Sequence, residues 1–286
     1  MHVTKEEFDR IRELINTYCG LSLATDKLYL AQSRLLPLLS RYNLGSFGDL
    51  IECVQSNQPN RLRDEFIESM VTNETSFNRD THPFEALRTK VLPMIAANKL
   101  ERKQRQGIPF TKVRVWSVAA STGQEPYSIA MAIADFVAMR TETKLGCEQF
   151  WILASDISER ALNAARQGMY SDLEMNRGVT PDQKAKYFVC RGAKWEVAAQ
   201  LKGMLEFRKL NILTNVSDLV GFDLVFCRNL LYYFDEPARI AVCDKMINSL
   251  NQGGILIIGS AEHLPPGWES RLQQMHVGRT MLYIKR

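Results

Sequence analysis

Four short runs of apolar, β-favouring residues constrain this chain more than any other feature: VRVWSV (113 to 118), FWILAS (150 to 155), FDLVFC (222 to 227) and GILIIG (254 to 259). Each is continuously apolar rather than alternating, so each must be covered on both faces. Helical stretches at 124 to 139, 158 to 168 and 236 to 250 separate them. Continuous strands alternating with helices predict an α/β fold built on a parallel sheet. The terminal MHVGRTMLYIKR predicts a closing hairpin or edge strand around Gly278.

The first hundred residues have a different texture. Thr4 and Glu7 form a capping box, Phe8, Ile11, Leu14, Ile15 and Tyr18 recur at helical spacing, and Gly20 is placed to end the helix. Leu62, Phe66 and Met70 lie one turn apart, and Phe84, Leu87, Val91 and Ile95 form another stripe. These patterns predict a helical domain over 1–99. The basic, Gly- and Pro-containing stretch 100–112 reads as a linker, and 113–286 as the sheet domain. Within it, residues 184–208 suit neither a crossover helix nor a core strand and read as an inserted β excursion.

The chain of 286 residues has room for a sizeable core, and its 45% hydrophobic and 24% charged content exclude disorder and disulfide-scaffold classes. A net charge of +4 is too mild to mark a nucleic-acid binder. The six scattered cysteines make no CxxC pair, which points to a reducing cytoplasm rather than a zinc site or disulfide framework. No run is long enough to span a bilayer, and no export signal is visible, so cytoplasmic localisation is expected.

In open α/β sheets ligands bind beyond the carboxyl ends of the strands, and the turn after the first strand comes closest. Here that turn is WSVAASTGQEPYS, whose small residues Ala119, Ala120, Ser121 and Gly123 would admit a ligand, or simply form a tight turn. It lacks the GxGxxG a pyrophosphate requires. Asp156 ends the second strand, where an acidic residue accepts from ribose hydroxyls; the alternative is that it caps the helix begun at Ser158. A nucleoside without pyrophosphate fits both features, and S-adenosylmethionine is such a ligand.

The strings VTNETSFNRD (71 to 80), VWSVAASTGQEPYSIA (115 to 130), ASDIS (154 to 158), LNIL (210 to 213) and FDLVFCRNLLYYFD (222 to 235) resemble those of the chemotaxis-receptor glutamate methyltransferases, the CheR family. Five ordered motifs spanning nearly the whole chain make the resemblance specific. It implies a class I S-adenosylmethionine-dependent methyltransferase sheet with an N-terminal helical domain and a small inserted β subdomain. The activity implied is protein-glutamate O-methylation of chemoreceptors, giving methyl esters and S-adenosylhomocysteine.

The resemblance also assigns residues. Asn73, Thr75, Arg79, Glu125, Asp156, Asn211, Ile212, Arg228 and Asn229 would bind the cofactor, and Arg79 and Tyr233 would lie nearest the reacting methyl. The residue types suit these roles: carboxylates accept from an ammonium or from ribose hydroxyls, and asparagines both donate and accept. With any helical tendency, Thr75 and Arg79 would share one face directed into the interdomain cleft. Cys227, in an apolar strand, is expected to be an inert core thiol.

Two departures bear on the partner. Members that bind a receptor's C-terminal pentapeptide carry a glycine-rich loop in the β subdomain, whereas VCRGAKWEVAAQL has one glycine and is shorter, which favours a tether-independent enzyme. The family's second helix is basic where it meets the receptor's cytoplasmic helical region. Here Lys27, Arg34 and Arg41 would share one face, interrupted by Pro37, as a docking surface or merely a solvated one. A methyltransferase of another acceptor and a cofactor-sensing interaction module remain the competing readings.

Overall fold

A computed structural model describes residues 2–59, 61–106, 112–139, 145–214 and 216–286, and divides them into two compact units. The first holds residues up to Thr72 together with Asn211–Thr214 and Tyr232–Val242; the second holds the rest.

The helical unit contains α1 (Lys5–Cys19), α2 (Leu28–Tyr42), α3 (Phe47–Ser56) and α4 (Leu62–Met70). The Thr4 capping box and the left-handed cap at Gly20 bound α1 as the sequence predicts, and Phe8, Ile11, Leu14, Ile15 and Cys19 are its buried stripe. Burying each such large side chain contributes roughly 1.5 to 3 kcal/mol. Pro37 does not interrupt α2, which continues through it to Tyr42. The proline lies on the exposed side of the helix, where the carbonyl that loses its partner can turn to water.

The second unit is built on a seven-stranded sheet in the order β6-β2-β1-β7-β8-β10-β9. Its strands are β1 (Val113–Val118), β2 (Phe150–Asp156), β6 (Leu205–Lys209), β7 (Phe222–Cys227), β8 (Leu250–Ile258), β9 (Leu272–Val277) and β10 (Thr280–Lys285). The five strands β6, β2, β1, β7 and β8 pair in parallel; β10 and β9 add antiparallel, with Gly278 left-handed in the predicted hairpin. The registers align Leu205, Ile152, Val115, Leu224, Ile255 and Ile284 in one apolar row across six strands. That row packs against α5 (His82–Ala86), the π-helical turn Leu87–Val91, α6 (Leu92–Gln106) and α7 (Gln124–Met139). α8 (Glu159–Gln167) packs against β2 and β6, and α12 (Glu236–Ser249) precedes β8 in the chain.

The expected boundary at 99–112 is therefore displaced to Thr72/Asn73. Phe84, Leu87, Val91, Leu92, Ile95 and Ala96 bury their helical stripe on the sheet, so this hydrophobic pattern belongs to the second unit's core. Of the expected linker, residues 100–106 continue α6, and 107–111 lie outside the described residues.

The inserted subdomain is present, but starts and ends earlier than 184–208. It comprises a sheet in the order β3-β5-β4, formed by β3 (Met169–Ser171), β4 (Phe188–Arg191) and β5 (Lys194–Val197), with short helices α9 (Asp172–Met175), α10 (Pro181–Tyr187) and α11 (Ala199–Lys202). Residues 205–208 belong instead to β6, the edge strand of the main sheet, paired with β2. A hydrogen bond from the Val197 amide to the Gly168 carbonyl, 2.9 Å, closes the insertion's neck. Among the described residues no helix is long and apolar enough to cross a membrane.

Candidate active site

The strand order places the topological switch beside β1: the chain proceeds outward to β2 and β6, then crosses to β7 on β1's other side. A ligand crevice is expected at the carboxyl ends of β1 and β7. Glu125, in the first turn of α7 after β1, and Arg228, directly after β7, meet there at 3.2 Å. The Arg228 side chain is only 1% exposed. It also donates to the Arg79 carbonyl at 2.8 Å and to the Asp80 carboxylate at 2.6 Å, and lies over the Phe84 ring. Arg228 thus ties the loop before α5 to both strand ends. Its Nε–H is buried and has no partner among the described residues.

Residues 73–76 are irregular and 77–80 form a turn, so Thr75 and Arg79 do not share the expected helical face. Positive φ at Asn78, Asp80 and Thr81 (46°, 67° and 55°) reverses the local hand of the backbone, which a right-handed helix cannot accommodate. A β-branched threonine in that region stores strain, on the order of 1 to 3 kcal/mol, which persists only where surroundings enforce it. They do so from several sides. The Asn78 amide donates to Ser128 Oγ, and its side chain donates to the Gly178 carbonyl and to Gln183. His82 joins Thr280 Oγ1 and Ser260 Oγ through its two ring nitrogens, at 2.7 and 3.0 Å. Arg79 is partly exposed, and its guanidinium donates to the Glu74 carbonyl at 3.3 Å.

The turn after β1 is held from β2. Asp156, 7% exposed, accepts from the Ser121 amide at 2.8 Å and from the Ser158 amide at 2.9 Å. Ser158, not Asp156, caps α8. Ser121 in turn donates its hydroxyl to the Asn73 carbonyl at 2.8 Å. Packing requires a glycine at 123: at φ +97° a Cβ there would strike Ala165 and the Tyr170 hydroxyl. Glu125 accepts from Ser117 Oγ at 2.9 Å. Burial pushes its carboxyl above the usual range, against the opposing pull of Arg228 and the Ser117 hydrogen bond.

The sheet unit therefore holds the 73–80 loop by two sets of hydrogen bonds, Asp156 to Ser121 to the Asn73 carbonyl at one end and Glu125 to Arg228 to the Arg79 carbonyl at the other, with Thr75 on the same loop and Asn229 next in sequence to Arg228. Asn211, Ile212 and Tyr233 group instead with the helical unit. There the Asn211 side chain donates to the Tyr18 carbonyl at 2.6 Å and accepts from the Leu213 amide, while Ile212 is buried. The Tyr233 carbonyl accepts from the Ser22 amide, and its ring packs on Tyr232, centroids 4.5 Å apart. Cys227 is fully buried, and desolvation drives its thiol well above the ordinary value, as expected of an inert core group.

The basic face expected on α2 is not a free one. Arg34 donates to the Met70 and Val71 carbonyls at the end of α4, Arg41 pairs with Glu65, and Lys27 lies before the helix, paired with Asp26. Asp80, His82 and Glu262 were not singled out from the sequence. Asp80 lies within a recognised string, but no spacing marks His82, whose partners are 178 and 198 positions away, or Glu262, whose partners at 229–231 are 31 to 33 positions away.

Buried carboxylates at adjacent strand ends, with no phosphate cradle, fit a ligand bearing an ammonium and ribose hydroxyls. The comparisons with known proteins agree. Residues 73–281 match the model described as CheR methyltransferase, SAM binding domain, and 6–71 match CheR methyltransferase, all-alpha domain. Chemotaxis protein methyltransferase 1 of Pseudomonas aeruginosa PAO1 is 37% identical over 92% of either chain. Chemotaxis protein methyltransferase Cher2 of Pseudomonas putida KT2440 is 35% identical over 90% of either chain. Chemotaxis protein methyltransferase of Escherichia coli K12 is 34% identical over 90% of this chain and 84% of its own.

Proposed function

Because this chain belongs to the CheR methyltransferase family and its cofactor is S-adenosylmethionine, we propose that it methylates glutamate side chains of chemoreceptors in the cytoplasm. The observation that carries this reading is the Arg228 frame, which fixes the Arg79 loop at the switch point of a methyltransferase sheet. When bound, the cofactor supplies an electrophilic methyl on a sulfonium. Glu125 and Asp156 would hold its ammonium and ribose hydroxyls, and Asn73, Thr75, Asn229 and Arg228 are assigned to the same ligand. Asn211 and Ile212 are assigned to the same ligand by family likeness.

A substrate glutamate is ionised at neutral pH, its reference pKa being about 4.3, so the enzyme needs no base. Its task is alignment, bringing the carboxylate oxygen to about 3 to 3.5 Å from the methyl carbon. Arg79 is assigned to hold that carboxylate through its planar fork, and Tyr233 to orient the approach by its ring or hydroxyl. Transfer would form the oxygen–carbon bond as the carbon–sulfur bond breaks, the electron pair of that bond passing to sulfur.

The acceptor is taken to be the helical cytoplasmic region of the receptor, without a pentapeptide tether. The β4–β5 connection supports this: it is a tight turn at Gly192 and Ala193, not a glycine-rich loop. Labelled cofactor incubated with chemoreceptor-rich membranes tests the reading. Label released as methanol by mild alkali is expected, at equal rates for receptors with and without their last C-terminal residues; alkali-stable label would exclude an ester. Arg79→Ala and Arg79→Lys should both lose activity, since lysine keeps charge but not the fork. Tyr233→Phe separates hydroxyl from ring. Near-normal turnover in Arg79→Ala would remove the arginine from the mechanism.

A further inference from the structure

Glu262 lies beyond β8, outside every motif described above, and is only 5% exposed. Its carboxylate accepts four backbone N–H groups. Oε2 takes those of Asn229 and Gly259, at 2.9 and 2.7 Å; Oε1 takes those of Leu230 and Leu231, at 2.7 and 2.6 Å. A carboxylate offers about four lone-pair sites, and here each is used. Three successive amides converging on one anion form a backbone nest, opened by Asn229 at φ 58°. We propose that Glu262 is a positioning residue for methyl transfer, setting the turn that presents Asn229 to the cofactor. This rests on the reading of Asn229 as a cofactor contact.

Two further features fit that role. Arg228 is drawn by Glu125 and Asp80, while the next three amides are drawn by Glu262, so carboxylates grip this turn from both sides. Gly259 leaves the room required: a Cβ there would collide with the Glu262 carboxylate and lie 3.2 Å from the Asn229 nitrogen. A neutral amide cannot replace the acid, because each oxygen faces two donors and the amide nitrogen would meet two N–H groups with nothing to offer them.

The test is a double-mutant cycle on the full chain, titrating S-adenosylhomocysteine calorimetrically. Glu262→Gln is expected to weaken binding by about tenfold, and Asn229→Ala likewise, with the double variant no weaker than Asn229→Ala alone, as coupled residues require. Hydrogen exchange should show the amides of 229–231 losing protection in Glu262→Gln while β1 and β7 keep theirs. Wild-type affinity in Glu262→Gln, or its full loss persisting in the Asn229→Ala background, would overturn the positioning role. Wild-type affinity in Asn229→Ala alone would instead remove Asn229 from the cofactor site. Where the glutamine variant does not fold, Glu262→Asp carries the same cycle, keeping both acceptor oxygens on a shorter stem.

Discussion

Gly178 passes so close to the Phe77 carbonyl oxygen that any Cβ at 178 would overlap it. The glycine also stands at φ +139°, where side-chain-bearing residues are strained. Two segments about a hundred positions apart thus meet without a side chain between them, two residues before Arg79. Gly178→Ala should cost on the order of 1 to 3 kcal/mol of stability and lower methyl transfer more than that loss of folded protein explains. Urea titration and initial rates measured together check this; unchanged rates would mean that the Arg79 loop tolerates the shift.

Arg228 should resist conservative replacement. Lysine keeps the charge, but one ammonium cannot reach Glu125, Asp80 and the Arg79 carbonyl in the geometry of a planar fork. Arg228→Lys is expected to lose about 2 kcal/mol. Arg228→Ala is expected to lose about 3 to 5, because it leaves the carboxylate of Glu125 buried and unpaired. Chemical denaturation measures both, and an alanine variant as stable as wild type would refute the frame.

The raised carboxyl of Glu125 has opposite consequences for folding and binding. Since the folded state holds its proton to higher pH than the unfolded chain, its contribution to stability is full below the ordinary carboxylate value and is lost as pH rises through the folded value. Binding an ammonium needs the ionised form, so cofactor affinity should fall on acidification before an ordinary carboxylate would protonate. Glu125→Gln should bind more weakly at neutral pH and lose that acid limb. Titrations across a pH series decide the matter; an identical acid limb in the variant would assign it elsewhere.

Asp156→Asn should separate charge from shape. Its carboxylate receives the Ser121 and Ser158 amides on different oxygens, so an amide nitrogen would oppose one of those donors. A loss of about 1 to 3 kcal/mol in cofactor binding is expected, with a smaller fall in melting temperature. Unchanged affinity for S-adenosylhomocysteine would exclude Asp156 as a ribose acceptor.

Periodicity disclosed the strands, the capped helices and the closing hairpin because those elements are decided locally. The domain boundary was not legible in the same way. A stripe such as Phe84, Leu87, Val91 and Ile95 shows that a helix has a buried face, not whether that face meets other helices or a sheet. The motif strings located Glu125, Asp156 and Arg228, but not their division of labour. That Arg228 spends its guanidinium on Asp80 and the Arg79 carbonyl depends on residues 148 and 149 positions away. Glu262 is hidden for the same reason: its partners are backbone amides, which every residue but proline possesses.

The neck at Gly168 and Val197 makes the insertion detachable in connectivity. Neighbouring strands lie about 5 Å apart, so a few residues could rejoin the chain there and leave β2 and β6 paired. Packing forbids the same excision. Phe77 sets its ring edge-on between Tyr170 and Phe188, centroids 4.9 and 5.5 Å away, and both partners would leave with the insertion. A bared phenylalanine two residues before Arg79 would collapse or aggregate. A minimal enzyme cut from this scaffold must therefore refill that aromatic socket before it shortens the chain, and exchanges of the insertion between relatives should succeed only when the socket travels with it.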